Sequence, residues 1–549
     1  RGTLAAGREI AMHRGMVAAA GAALILQALV AFGGDAPSKG YEALVELNAD
    51  VLELKEPATA DGFPDDRPET MNEQREAVRG FFERLEAVDP SGWTVPEKVD
   101  YLLVRARLNR ADFEHRVLRP WARDPGVYVG AVQRVAFQEL PASADDLAEL
   151  ESRLAAVPAF LDRARANLTE GAGELRRTAL RDLQQADGVG HGHPYREVPP
   201  PGAIGWYRDL VERLEEHHPS LVTIAEAALD AVVAFRDWLE DTEMDAPAGV
   251  GREQYDWYLA NVLYMPFTTD DIIAVGDREL QRSRAFLALE RHRNRDLPPL
   301  EPAASAEEYA RRISDADEHI RRFIREENIL TIPEFIGKLD HNVPWIERPG
   351  GRRNFWEEVQ YRDPRPDHVH AVIPGHGFDM EIKKRDERPI RGPYFDSGRV
   401  EGWATYLEEM FLQAGLLDDL PRTRELFYIF QIARAARNRA EVGLHTNAFT
   451  IPEAARFMVD RTPMMEGDVA RVDAEIYLRE PGYGISYQMG KIQIDQLLAD
   501  RAMQLGEDFS LQEFHDRFLS AGMIPISLIR WEMTGLDDEV RHFWDPARD

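Results

Sequence analysis

The stretch Ile272–Glu290, IIAVGDRELQRSRAFLALE, carries the clearest fold signal in the chain. Its apolar residues recur at spacings of three and four, the period of one face of an α-helix. Thr268 stands three residues before Asp271, the spacing at which a hydroxyl and a carboxylate cap a helix start reciprocally. The same spacing precedes further apolar runs at Thr94 and Glu97, Ser143 and Asp146, Ser305 and Glu308, and Thr450 and Glu453. Alternating strand-like runs are scarce, so the sequence predicts a mainly α fold.

Composition places the chain among large globular proteins. Of its 549 residues, 44% are hydrophobic and 30% are charged, which is enough apolar material for a sizeable core. The net charge of −31 at pH 7 argues against nucleic acid as a partner and against anionic membrane surfaces. The absence of cysteine excludes disulfides, thiolate nucleophiles, thiolate zinc ligands and a lipid-bearing cysteine in this sequence. No repeat or clean linker divides residues 41–549, so we expect one large multi-helix domain there, with two lobes.

Residues 1–40 form a signal-like or anchoring apolar segment. The basic stretch Met12-His13-Arg14 precedes the apolar run Met16–Phe32, which ends at Gly33-Gly34. This order is typical of a secretory signal, and the run is short for a membrane span of about 20 apolar residues. If 12–34 is a signal, we expect an exported protein, periplasmic or extracellular, that meets a membrane only through this segment if it stays uncleaved. The alternative is a buried amino-terminal helix in a cytoplasmic protein.

The long stretch Leu339–Ser397 interrupts the helical pattern with many Pro, Gly and aromatic residues. A loop of this length in a globular protein is usually functional or disordered. It contains His368, His370 and His376. The stretch is therefore where we expect a functional site.

Two of these histidines and a carboxylate further along the chain have the residue types of a metal site. His370, His376 and Glu401 together match a common zinc ligand set that leaves one position open. His370 and His376 are six residues apart, about 120° out of alignment on a straight helix. Pro374-Gly375 between them supplies a helix break that would let them converge. The alternative is a set of surface histidines in a loop.

His368 is a reserve ligand in this interpretation. It lies two residues before His370, and on an extended segment the two side chains would share one face.

Several ordered motifs resemble the domain-of-unknown-function 885 family, which is grouped with a zinc metallopeptidase-like superfamily. The likeness covers most of the chain. The matching blocks are His370-Ala371-Val372-Ile373-Pro374-Gly375-His376, Glu401-Gly402-Trp403-Ala404-Thr405-Tyr406-Leu407-Glu408, Arg434-Ala435-Ala436-Arg437 with Glu441-Val442-Gly443-Leu444-His445, Pro481–Gly490, and Phe514-His515-Asp516 with Gly522–Pro525. The resemblance implies a large helical, zinc-metallopeptidase-like fold with a metal in a central cleft between two halves. It also implies that His370, His376 and Glu401 are the ligands of a divalent metal such as zinc.

The chain departs from the family pattern at three places. Ala371 stands where the family has a Glu, and in His-Glu-x-x-His peptidases that Glu is the general base. Tyr483-Gly484 replaces Gln-Ala, and Glu441 replaces an Asp. Because losing a general base typically slows a reaction about 10²–10⁴-fold, ordinary peptidase action is doubtful.

Three interpretations of the Ala371 departure stay open. The first is that the protein is a catalytically inactive binding protein. The second is that another residue supplies the base. The third is that the site runs a non-hydrolytic, lyase-type reaction. Proximity in sequence makes His368, Glu408, Glu409 and Asp379 the candidate bases. The leading hypothesis is a metal-dependent enzyme that cleaves a carbonyl-containing or C–X bond in a small polar or peptide-like substrate.

Other residues of the matching blocks are candidates for supporting roles. Tyr487, His445 and Arg437 could stabilise developing negative charge opposite the metal. Glu408, seven residues after Glu401, could orient a ligand histidine. The alternatives are a core tyrosine for Tyr487 and a solvated helix face for Glu408.

Overall fold

Helices dominate the computed structural model, which describes residues 37–55, 59–60, 62–189, 196, 198–341 and 343–543. The α-helices are α1 (Tyr41–Lys55), α2 (Pro68–Glu86), α3 (Val95–Phe113), α4 (Pro120–Arg123), α5 (Pro125–Ala136), α6 (Ala144–Asn167), α7 (Gly173–Gln184), α8 (Gly202–His217), α9 (Val222–Asp241), α10 (Arg252–Asn261), α11 (Thr269–Arg293), α12 (Ala306–Glu326), α13 (Phe355–Gln360), α14 (Arg365–Ala371), α15 (His376–Lys383), α16 (Ser397–Ala414), α17 (Thr423–His445), α18 (Ile451–Arg461), α19 (Gly467–Arg479), α20 (Tyr483–Leu505), α21 (Leu511–Ser520) and α22 (Ile526–Thr534).

Other regular structure is limited to short pieces. A π-helix (Glu114–Leu118) continues α3, and 3₁₀ turns lie at Pro219–Leu221, Pro349–Gly351, Gly506–Asp508 and Arg541–Phe543. Strands β1 (Thr59–Ala60) and β2 (Phe63–Pro64) form one antiparallel ladder. The prediction of a mainly α, multi-helix protein is therefore confirmed, whereas the apolar run Met16–Phe32 lies outside the described residues.

The predicted caps lie at helix starts. At Thr268 the hydroxyl accepts from the Asp271 N–H while the Asp271 carboxylate accepts from the Thr268 N–H, and Thr450 pairs with Glu453 in the same reciprocal way. Ser143 and Ser305 likewise cap the starts of α6 and α12. Local polar patterns thus set where these helices begin.

The stretch Leu339–Ser397 is less irregular than a loop prediction implies, because it contains the short helices α13, α14 and α15. Asn354 caps α13 reciprocally with Glu357. Pro364 and Pro374 precede α14 and α15 and limit how far each preceding helix extends. The prolines that suggested a loop therefore separate consecutive short helices.

Helices α16 and α20 pack against each other at backbone contact. A Cβ added at Gly402 in α16 would lie 2.6 Å from Gly490 Cα in α20, and one at Gly490 would lie 2.7 Å from Gly402 Cα. Only glycine on both sides permits this approach. The contact brings the residues around Glu401 on α16 close to Tyr483 and Tyr487 on α20.

Two hydrophobic cores account for most of the buried apolar side chains. The larger one joins α1 and α3 to the carboxyl-terminal helices α16–α22. The second is built by α5–α9 around Phe160 and Tyr207. Among the helices of the described ranges, none combines the length and apolar character that crossing a membrane requires.

Candidate metal centre

Three predicted ligands converge in one buried cluster, which we call the His-His-Glu cluster: His370, His376 and Glu401. One ligand atom from each lies within 4.8 Å of the others. Glu401 Oε2 is 3.4 Å from His370 Nε2 and 3.2 Å from His376 Nε2. His370 and Glu401 are buried, whereas the His376 side chain is 27% exposed and forms the solvent edge of the cluster.

The break at Pro374-Gly375 accounts for the convergence of the two histidines. His370 lies near the end of α14, and His376 is the first residue of α15. A Cβ at Gly375 would lie 1.7 Å from the His370 carbonyl oxygen, so the chain can pass there only as glycine. Trp403 Nε1 donates a hydrogen bond to the Pro374 carbonyl at 3.0 Å and ties the break to α16. The helical misalignment expected from a six-residue spacing is removed in this way.

A carboxylate on the far side of His370 orients its ring. Glu408 Oε1 is 2.8 Å from His370 Nδ1, which leaves Nε2 to face Glu401. Glu408 is itself held by Arg434 Nε at 3.0 Å and Gln431 Nε2 at 2.9 Å. This is the carboxylate–histidine arrangement that usually supports metal-bound imidazole. Of the two interpretations of Glu408, the geometry favours the orienting residue over a solvated face.

Tyr483, which sequence reasoning noted only as a departure from the family pattern, contacts the cluster directly. Its hydroxyl donates to Glu401 Oε1 at 3.0 Å. The other oxygen, Oε2, has no hydrogen-bond partner among the described residues, and neither does His376 Nδ1. The only sequence signal for this role was the expected departure from the family motif at Tyr483.

The electrostatic surroundings of Glu401 suit a carboxylate that coordinates a cation. Burial acts to raise the pKa of Glu401, but His376 and His370 outweigh it and hold the pKa well below its ordinary value. A buried, ionised carboxylate with one unsatisfied oxygen beside two imidazole nitrogens is a donor set that fits zinc or a similar divalent ion. The residues present therefore fit the metal that the sequence suggested.

Tyr487 lies beside the cluster, and Arg437 packs against Tyr487. The Tyr487 ring is parallel to the His370 ring at a centroid distance of 6.2 Å, and its hydroxyl is 3.4 Å from the Tyr483 hydroxyl. Arg437 Cζ lies 4.3 Å from the Tyr487 ring centroid. Arg437 Nη2 donates to Asp473 Oδ2 at 2.9 Å.

His445 is not brought to the cluster by any described contact. Its Nε2 lies 2.9 Å from the Tyr477 carbonyl oxygen, and its ring stacks on Tyr255 at 4.7 Å. Burial lowers the pKa of His445 to about 4. These contacts are those of a neutral core histidine.

His368 points away from the cluster. The prediction of an extended segment around it is wrong, because the segment is helical. Residues 365–371 are helical, and two residues on a helix point about 200° apart. His368 Nε2 therefore contacts Asp317 Oδ1 at 3.2 Å, and its Nδ1 lies 3.4 Å from His341 Nδ1. As a reserve ligand or base, His368 would have to leave these partners.

The remaining candidate bases are engaged in ion pairs. Asp379 Oδ2 pairs with the buried Arg399 at 2.7 Å. Glu409 pairs with Arg282 at 2.6 Å and with Lys491 at 2.8 Å. Neither carboxylate has a described contact with the His-His-Glu cluster.

Comparison with known proteins identifies a family and a shared fold. The sequence matches the family model described as bacterial protein of unknown function (DUF885) over residues 52–341 and 367–533. The fold is similar to that of a candidate lipoprotein of unknown function from Shewanella oneidensis, with TM-score 0.69, 17% identity, and coverage of 90% of this chain and 100% of that one.

A candidate lipoprotein from Colwellia psychrerythraea has a similar structure, with TM-score 0.66, 16% identity, and coverage of 93% of this chain and 100% of that one. None of the curated proteins matches the chain in sequence. Because the family model matches most of its length, the chain belongs to the bacterial DUF885 family.

Proposed function

We propose that this protein is a metal-dependent enzyme in which His370, His376 and Glu401 hold a divalent cation, zinc in the first instance. The observation that carries the proposal is the buried convergence of these three ligand atoms within 4.8 Å. Glu401 Oε2 supports it, because this buried oxygen lies 3.2–3.4 Å from two imidazole nitrogens but forms a well-aligned hydrogen bond with neither, and such atoms usually indicate a missing ion or water.

The chain's own residues would prepare the site for a small polar or peptide-like substrate. Bound there, the ion would supply Lewis acidity that polarises a substrate carbonyl. Glu408 would keep His370 in the tautomer that presents Nε2, and Tyr483 would orient Glu401 through Oε1. The Tyr487 hydroxyl would donate a hydrogen bond to negative charge that develops on the substrate.

Ala371 and the paired carboxylates argue against ordinary peptidase action. The Ala371 methyl group cannot accept a proton, and Glu408, Glu409 and Asp379 each already bind a guanidinium. A reaction that needs no activated water, such as lyase-type cleavage of a C–X bond, is therefore favoured. A catalytically inactive binding protein that keeps the cleft is the alternative, and ligand turnover would distinguish the two.

We also propose a two-lobed architecture and export of the protein from the cytoplasm. Two separate hydrophobic cores support two lobes. The central cleft and the peptidase-like fold are proposed from the family resemblance. The signal-like segment before residue 36 and the description of two similar structures as candidate lipoproteins support an exported protein. We propose a small-molecule or peptide-like partner and no nucleic acid.

Metal content by elemental mass spectrometry on untagged protein tests the proposal. We expect about one divalent ion per chain, its loss in His376→Ala, and its retention in His292→Ala, which changes an exposed histidine on α11. Unchanged metal content in His376→Ala would refute the ligand assignment.

Restoring the family's carboxylate by Ala371→Glu tests the reaction class. Peptidase activity that appears only in this variant would support a hydrolytic site lacking only its base. If Ala371→Glu stays inert on peptide libraries while the parent converts another compound, the hydrolytic interpretation is wrong.

A further inference from the structure

Arg437 is a buried cation with unused hydrogen-bond donors. It is 2% exposed, and only Nη2 has a partner, Asp473 Oδ2 at 2.9 Å. Its Nε and Nη1 have no hydrogen-bond partner among the described residues. Arg434, one turn earlier on α17, instead donates from both Nε and Nη2 to Glu408. Because buried polar groups are almost always satisfied, Arg437 indicates an acceptor that the described residues do not provide.

The unused donors belong to the same site as the His-His-Glu cluster. One aromatic ring, that of Tyr487, stacks on Arg437 at 4.3 Å and lies parallel to the His370 ring at 6.2 Å. Burial acts to lower the pKa of Arg437, but Asp473 and, among further groups, Glu401 raise it well above its ordinary value. The guanidinium is therefore charged, and it shares the Tyr487 ring as a neighbour with the ligand histidine.

The sum of the charges around the cluster predicts that a bound ligand carries one negative charge. Glu408 pairs with Arg434 and Asp473 pairs with Arg437, while Glu401 lies against the two histidines. With a divalent ion at the cluster, these groups together carry one excess positive charge. An uncompensated charge is unfavourable in a buried site, so a monoanionic ligand would neutralise it.

We propose that Arg437 binds the carboxylate of a small monoanionic substrate whose carbonyl group lies at the His-His-Glu cluster. This substrate class contains N-acyl amino acids and the carboxyl-terminal residues of short peptides, which place a carbonyl a few bonds from a carboxylate. Guanidinium donors suit carboxylate oxygens, and Tyr487 offers a flat surface for the chain between the two groups. The inference rests on the proposed function, because the charge balance includes the divalent ion.

Binding of a matched acid and amide to the full-length, zinc-loaded protein tests the inference. N-acetyl-L-alanine and N-acetyl-L-alaninamide differ in the carboxylate alone, and inorganic phosphate reports on general anion binding. We expect calorimetric titration to show the acid bound about tenfold or more tightly than the amide, since one hydrogen-bonded charge is at stake. Phosphate is expected to bind more weakly than the acid, because it carries more than one charge at pH 7.

Variants identify the residue responsible. Arg437→Met together with Asp473→Asn removes both charges of the pair and should abolish the preference for the acid while zinc content stays unchanged. Arg439→Met is the matched control, because Arg439 lies on the same helix, pairs with Asp277 and is 37% exposed. That variant should keep the preference.

The outcomes separate this inference from the proposed function. Zinc uptake with equal binding of acid and amide by the parent overturns the inference and leaves the metal site standing. A preference for the acid that survives in the Arg437 variant overturns the assignment to Arg437. Failure to take up zinc overturns the proposed function, on which the inference rests.

Discussion

Glu408→Gln tests how the His-His-Glu cluster is supported. The substitution keeps the shape of the side chain but removes the charge that faces His370 Nδ1 at 2.8 Å and Arg434 Nε at 3.0 Å. Losing such a supporting carboxylate typically weakens metal binding about 10–100-fold, which is about 1.4–2.7 kcal/mol. We expect zinc affinity to fall within this range in a competition titration against a chelator of known affinity.

The same substitution also affects folding, and the two effects can be separated. Arg434 is 1% exposed and would lose its counter-charge, which costs about 3–5 kcal/mol for a buried pair. The double variant Glu408→Gln with Arg434→Met removes both charges and should recover much of this stability. It should keep the weakened zinc binding, because His370 still lacks its carboxylate.

Glu409→Gln is the matched control for this experiment. Glu409 is the next residue on α16, but it pairs with Arg282 and Lys491 and has no described contact with a predicted ligand. We expect its zinc affinity to equal that of the parent. If Glu408→Gln binds zinc as tightly as Glu409→Gln does, the reasoning about the orienting carboxylate is wrong.

Three further predictions concern single residues. Tyr483→Phe removes the 3.0 Å hydrogen bond to Glu401, so a chelator titration should show zinc binding weakened by about 10-fold, while a parent-like affinity would contradict the contact. Burial raises the pKa of Glu441 from 4.5 to about 7. The neutral carboxyl group therefore contributes fully to stability below pH 4.5. As the pH rises from 4.5 to about 7, this contribution is lost and the free energy of unfolding falls by about 3 kcal/mol. Unfolding titrations from pH 5 to 8 should show this loss in the parent but not in Glu441→Gln, and parallel curves would refute it. Gly402→Ala should destabilise the protein by about 1–3 kcal/mol in calorimetry, because its Cβ would meet Gly490, whereas Gly80→Ala, with no atom within 4 Å, should not.

Local sequence signals predicted the helical content well and the site in part. Caps such as Thr268 with Asp271 lie at helix starts because each depends on atoms within one turn of chain. The break at Pro374-Gly375 between the two histidines was also readable, since it follows from the backbone properties of these residue types. The same local signals misjudged Leu339–Ser397, where prolines separate short helices instead of marking one loop.

The roles of individual site residues could not be predicted from spacing. His368 and His370 differ in function because a short helix directs them to opposite sides, and that helix was hidden in a Pro-rich stretch. Glu408 and Glu409 are adjacent acids, yet one lies against His370 and the other pairs with Arg282 and Lys491. The seven-residue spacing from Glu401 pointed to Glu408, but only the packed helices show which partner each acid has.

The sequence by itself determined the mainly α fold, the family, the large acidic chain and the residue types able to hold a divalent ion. Tertiary structure alone decided that Tyr483 contacts Glu401, that Glu408 faces His370, and that Arg437 keeps unused donors. The physical reason is the separation along the chain between the residues that interact. Helix caps and periodicity depend on neighbours a few residues away, whereas these partners lie on different helices and meet only when α14, α16, α17 and α20 pack together.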